Sequence, residues 1–210
     1  MGEQGIRSNG GGQTVLESVQ AETGERTDSA KEKLLEAADL FAKTSYSEVG
    51  IARILEWAGF HAPTLYYHFG DKEGLYVAWA LRSIEELGEA VRSKLEGLDE
   101  TRSGLTALAT CVSDPFRPDL SNYLRDASRL ERSESREKIV DAVHRAVYEP
   151  LYALLLTGME RRELRLEPVQ KTATVFLAGA LALRPGGPLS SGEDPASEWW
   201  VERFFAGFGA

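Results

Sequence analysis

Tyr46-Ser-Glu-Val-Gly-Ile-Ala-Arg-Ile-Leu-Glu-Trp-Ala-Gly-Phe-His-Ala-Pro-Thr-Leu-Tyr-Tyr-His-Phe69 reads as two short helices joined by a sharp turn. Ile51, Ile54, Leu55 and Ala58 recur at offsets of three and four, which gives the first helix a single apolar face. Gly59 follows, and a glycine accepts the left-handed backbone that ends a helix. Phe60 returns the chain to the core, and Pro63 stands where a first-turn proline presets the helical φ. In the second helix only Leu65 and Phe69 share an inward stripe, so Thr64, Tyr66, Tyr67 and His68 face solvent. A second helix that turns hydroxyls and an imidazole outward has the geometry by which a helix-turn-helix enters the major groove of duplex DNA.

Working outward from this stretch, Ser29-Ala30-Lys31-Glu32 forms a capping box ahead of Leu34, Leu35, Ala38 and Phe41, which predicts a first helix from Ser29 to near Lys43. On the other side, Asp71 is the expected N-cap of a long helix. Leu75, Ala78, Trp79, Ile84, Leu87, Val91 and Leu95 keep helical spacing there until Gly97. Further helices are expected over 100–113, 119–131, 135–163 and 168–183 and after Pro195, with a loop of Pro, Gly and Ser at 184–192. No segment alternates at the two-residue period of a strand. The expected fold is therefore all-α. Residues 1–28, glycine-rich and carrying Arg7 and Arg26 against five acids, read as a disordered tail. Residues 29–75 form a three-helix head, and residues 76–210 form a larger helical effector-binding and dimerisation domain.

Ala58-Gly59, then Thr64-Leu-Tyr-Tyr-His-Phe69, then Asp71-Lys72-Glu73 resemble the DNA-binding domain of the TetR family of bacterial transcriptional regulators. The resemblance runs from about Ser29 to Leu75, and the family's usual length of roughly 200 residues suits the whole chain. It implies a recognition helix at 62–68, with Ala62, Pro63, Thr64, Tyr66, Tyr67 and His68 near double-stranded operator DNA and Lys72 on a phosphate. It also implies a cytoplasmic homodimer, usually a repressor, whose long helix swings when a small effector binds the second domain and so changes the separation of the two heads. The sequence departs from the family pattern at Val49-Gly50, where a capping Thr or Ser is usual, leaving Ser47 to cap one turn early. It departs again at His61-Ala62, where a Ser followed by a Lys or Arg is usual. Between residues 29 and 75, Lys31, Lys33, Lys43, Arg53 and Lys72 stand against Glu32, Glu36, Asp39, Glu48, Glu56, Asp71 and Glu73, a net charge of −2. Non-specific DNA affinity should then be modest, because phosphate neutralisation supplies most of it. These departures leave one alternative open: a dimeric ligand-binding or adaptor protein of TetR-like shape that no longer reads DNA.

Composition narrows the remaining classes. At 210 residues and 23.1 kDa the chain can bury one substantial core or two small ones. No apolar run approaches the roughly 20 residues needed to span a bilayer, so no membrane role is expected. A single cysteine, Cys111, excludes an intrachain disulfide, and its apolar helix with Leu105 and Leu108 makes it a small buried residue. No zinc, phosphate-loop or nucleophile-elbow motif is present, so no metal, cofactor or enzymatic activity is expected.

Two stripes remain in the second domain. Trp199, Trp200, Phe204, Phe205 and Phe208 are too many aromatics for one solvated helix, and Val169, Ala173, Phe176, Ala180 and Leu183 offer a matching seam. Two such helices from each of two chains would make a four-helix bundle across a two-fold axis; the alternative is that both stripes fill the core of one subunit. His144, Tyr148 and Tyr152 stand at i, i+4 and i+8 of a predicted long helix, with Phe116 and Tyr123 as facing walls. An apolar face with sparse polar tips is what a small, largely apolar effector requires, and it is also what a core or dimer face whose hydroxyls bond neighbouring backbone would show.

Overall fold

The structure, a computed structural model, describes residues 28–117, 119–184 and 196–210. Apart from Asp28, the expected N-terminal tail lies outside them, as does all of the expected loop beyond Arg184. Among the described residues every regular element is a helix, and the only pairing of extended backbone is an isolated antiparallel bridge between Leu164 and Gly209. No described helix is long and apolar enough to cross a membrane.

Helix α1 covers residues 28–37 and resumes after a two-residue break as Leu40–Lys43. Asp28 is already helical, so Ser29 stands inside the first turn and does not cap it. Helices α2 (Ile51–Ala58) and α3 (Ala62–Phe69) follow, and α4 (Lys72–Leu95) leads away from the head. Asp71 caps α4 as its position suggests, its carboxylate accepting from the Gly74 N–H at 2.8 Å. The body adds α5 (Thr101–Val112), α6 (Leu120–Ala127), α7, α8 (Val169–Ala182) and α9 (Ala196–Phe208). Helix α7 is one rod in three parts: Ser133–Val143, a π turn at His144–Tyr148, and Glu149–Glu160.

The buried side chains form one apolar cluster running from Leu34 in α1 to Phe204 in α9. Aromatic rings carry it across the junction of head and body. Phe41 meets Tyr76 edge-on at 5.1 Å and Trp79 at 5.7 Å, and Trp79 meets Tyr123 of α6 at 5.6 Å. Such pairs add specific geometry to the area they bury. The α4 helix thus serves both halves of the molecule.

The C-terminal helices differ from expectation. Ala173, Phe176 and Ala180, the centre of the anticipated dimer seam, are sealed within their own subunit. Phe176 packs edge-on against Phe204 at 5.1 Å, and the Trp200 indole N–H donates to the Phe176 carbonyl at 3.0 Å. The reason is Gly179: a Cβ there would collide with the Trp200 ring, so its absence lets α9 lie flat on α8. The other side stays uncovered, with Val175 and Ala178 on α8 and Trp199, 55% exposed, on α9.

Candidate nucleic-acid interface

The local sequence explains the turn between α2 and α3. Gly59 takes φ 72°, and its N–H bonds the Leu55 carbonyl at 2.9 Å, closing α2 in the left-handed geometry that a side chain would strain. Helix α3 then starts behind His61, with Pro63 in its first turn and Leu65 fully buried. Phe60 and Phe69 pack at the edge of the core. These anchors on one side present the opposite side of α3 to solvent.

On that side Tyr66 is 49% and Tyr67 79% exposed, and neither hydroxyl has a hydrogen-bond partner among the described residues. Pro63 is exposed, whereas Ala62, Thr64 and His68 are half-buried. Tyr67 and His68 meet edge-on at 5.0 Å, so their rings support one another as one unit. Lys72 has a different setting from its neighbours. Its ammonium lies 4.5 Å above the Tyr46 ring, and burial there holds it below the usual lysine range while Asp126 pulls the other way. Ser47 does not cap α2, because its hydroxyl pairs with that of Ser45 at 3.0 Å and Gly50 occupies the cap position without a side chain.

One exposed ring escaped the sequence reading. Trp57 lies on α2 and is 61% exposed, beside the exposed Arg53. Its position off the Ile51, Ile54, Leu55, Ala58 stripe was the available signal.

In the body, His144, Tyr148 and Tyr152 gather into a triangle of rings with centroids 5.8 to 5.9 Å apart. The π turn widens the helix at this point, which keeps a four-residue spacing on one face. The cluster lies on the outside of α7: His144 is exposed, the tyrosines are half-buried, and Glu149 sits 3.5 Å from the His144 Nδ1. Phe116 is 95% exposed, and Tyr123 is enclosed against Trp79. A groove of about 340 Å³ opens one face further round, between α4 and α7, lined by Leu81, Ile84, Gly88, Arg92, Arg145 and Ala146 among others. The Cys111 thiol is buried and pushed up by that burial, as an unreactive core residue would be. Among the described residues no three His, Cys, Asp or Glu side chains stand together as a metal site.

A three-helix head whose third helix turns one face to solvent, set on a helical body, is the arrangement of a DNA-binding regulator of the helix-turn-helix class. Residues 33–79 match the sequence profile described as bacterial regulatory proteins, tetR family. The chain is similar to the transcriptional repressor AcnR of Corynebacterium glutamicum, 25% identical over 177 residues that cover 80% of this chain and 89% of that protein. It is also similar to the transcriptional activator FasR of Mycolicibacterium smegmatis, 31% identical over 90 residues, 43% of this chain and 41% of that relative. Its fold matches the crystal structure of FadR from Bacillus subtilis in complex with stearoyl-CoA, with a TM-score of 0.68 at 14% identity, covering 84% of this chain and 98% of that one. The match at residues 33–79 is thus to the DNA-binding part of the tetR family of bacterial regulatory proteins, and the relatives named above are transcriptional regulators.

Proposed function

We propose that the protein is a homodimeric, sequence-specific transcriptional repressor that reads its operator with α3 and releases it when a small, largely apolar effector binds the body. The observation that carries this reading is the face of α3. Tyr66 and Tyr67 are held in solvent with no internal partner, although burial is the usual fate of such rings in a folded domain. In this reading Ala62, Pro63, Thr64, Tyr66, Tyr67 and His68 approach the groove, and Lys72 turns off the Tyr46 ring to meet a phosphate. With no Lys or Arg in α3, base contacts fall to hydroxyls, an imidazole and apolar edges.

For the dimer, the uncovered Val175, Ala178 and Trp199 supply the contact in place of the stripe that α9 already covers. For the effector, the ring cluster of His144, Tyr148 and Tyr152 is the candidate anchor. Its support is the π turn, a local distortion found often at functional sites, and the stearoyl-CoA held by FadR of Bacillus subtilis, a protein of the same fold. Neither the exposed Phe116 nor the enclosed Tyr123 adds support to that site.

The test is a salt titration of binding between the full chain and the duplex upstream of its own gene. A site-specific complex with a shallow salt slope is expected, because few phosphates are neutralised. Absence of any sequence-dependent complex at low salt would sink the reading and leave a ligand-binding protein of the same shape.

A further inference from the structure

The seven residues from Asp126 to Arg132, at the corner where α6 passes into α7, touch the head at two separate places. Asp126, 2% exposed at the end of α6, accepts the Tyr46 backbone N–H at 2.9 Å, in the loop that leads into α2. Arg132, just ahead of α7, spreads its guanidinium over the start of α4. Nη1 and Nη2 reach the two Asp71 oxygens at 3.0 and 2.9 Å, and Nε reaches Glu73 at 3.0 Å. Glu73 is almost fully buried and also accepts the backbone N–H groups of Glu131 at 3.0 Å and Arg132 at 3.2 Å. The first contact lies just before the helix-turn-helix and the second just after it.

We propose that this corner is a two-point clamp that sets the angle of the DNA-binding head on the body and passes effector-driven movement of α6 and α7 to it. Arg132 and Asp126 are its positioning residues. The use of the clamp in regulation rests on the function proposed above; the clamp itself does not.

The physical weight falls on the buried arm. An exposed arginine–carboxylate pair such as Arg132 with Asp71 is worth little by itself. Glu73 is different, because a carboxylate enclosed by protein must keep its donors or carry an uncompensated charge. Burial works to raise the Glu73 carboxyl, yet the Ser135 hydroxyl, the two N–H groups and Arg132 outweigh it and hold it below its ordinary range. The head therefore cannot tilt at α4 without stripping donors from a buried charge. It cannot tilt at α2 without taking the Tyr46 N–H from Asp126, whose other oxygen has no hydrogen bond among the described residues and only the Arg125 and Arg129 side chains at 3.9 Å. Two such contacts, one just before and one just after the helix-turn-helix in the chain, fix an orientation that either alone would leave freer to rock.

The experiment uses the full chain with Cys111→Ala and spin labels at Glu56→Cys on α2 and Glu160→Cys on α7, diluted into unlabelled subunits. The head-to-body distance distribution should broaden in Arg132→Ala and in Arg132→Lys, which keeps the charge but loses the fork. Binding to the upstream duplex should weaken about tenfold, a coupling of ordinary size for linked sites. Arg132→Ala strands the Glu73 charge and can fail to fold, so the pair Glu73→Gln with Arg132→Gln removes both partners and restores the melting temperature. If the clamp positions the head, the distribution stays broad in that stable double variant. A distribution as narrow as that of the unaltered chain would overturn the proposal and leave the contacts a purely structural role. Should the unaltered chain not bind the duplex, the distance measurement still decides the clamp, and the regulatory reading alone is lost.

Discussion

Residues 66–68 and 200–208 are both rich in aromatic rings, and the fold uses them in opposite ways. In α3 the tyrosines stand in water, with only Leu65 wholly enclosed beneath them. In α9 Phe204 is 1% exposed, Phe205 lies under the Arg102 guanidinium at 4.1 Å, and Phe204 and Phe208 stack at 4.8 Å. The difference does not come from the rings. It comes from the surfaces that face them: α8 supplies a groove of small residues, whereas nothing among the described residues lies over the outer side of α3. A ring without a facing partner is free to serve another molecule.

That contrast can be broken at several points. The largest effect is expected from Phe204→Ala, which empties a sealed site and should cost about 3–5 kcal/mol of stability in a denaturant titration. A loss below about 1 kcal/mol would mean that α9 contributes little to the core. Next is Gly179→Ala, whose new methyl meets the Trp200 ring and should cost about 1–3 kcal/mol through overpacking. If Trp200 fluorescence and stability are unchanged, the close approach of α8 and α9 is not what seats the indole. Tyr67→Ala should weaken operator binding by about 1–3 kcal/mol. Its effect on folding should stay within about 0.5 kcal/mol, as for a surface change. A reversal of those two figures would place Tyr67 among the core rings. The smallest effect on folding is expected from Trp199→Ser, again within about 0.5 kcal/mol, with a shift from dimer to monomer in light scattering. A dimer of unaltered strength would move the subunit contact away from this part of α9.

The helix-turn-helix was legible because everything that shapes it is local: an apolar repeat, a glycine, a first-turn proline and an N-cap aspartate lie close together along the chain. The helices of the body were legible by the same spacing, with small differences at their ends. Which side of α8 would be covered was not legible, because that depends on Gly179 meeting Trp200, 21 residues further along the chain. Lys72 reads as an available cation in the sequence, yet its ammonium rests on Tyr46, a contact fixed only by the tertiary fold. The clamp was hidden for the same reason. Asp71, Glu73 and Arg132 are ordinary surface charges until two distant turns are brought together. In α7 the four-residue spacing of His144, Tyr148 and Tyr152 was visible, but the π turn that keeps the rings together was not.

The aromatic group at the junction bears on how the molecule can be taken apart. Phe41 belongs to α1, Tyr76 and Trp79 to α4 and Tyr123 to α6, yet they pack as one set, and the Trp79 indole N–H also bonds Asp39 at 2.9 Å. A cut between residues 75 and 76 would run through the middle of this set and leave Phe41 facing water. The head is therefore not a portable cassette. A fusion that transplants it to another body must carry Tyr76 and Trp79 along, together with a surface shaped like Tyr123 to receive them.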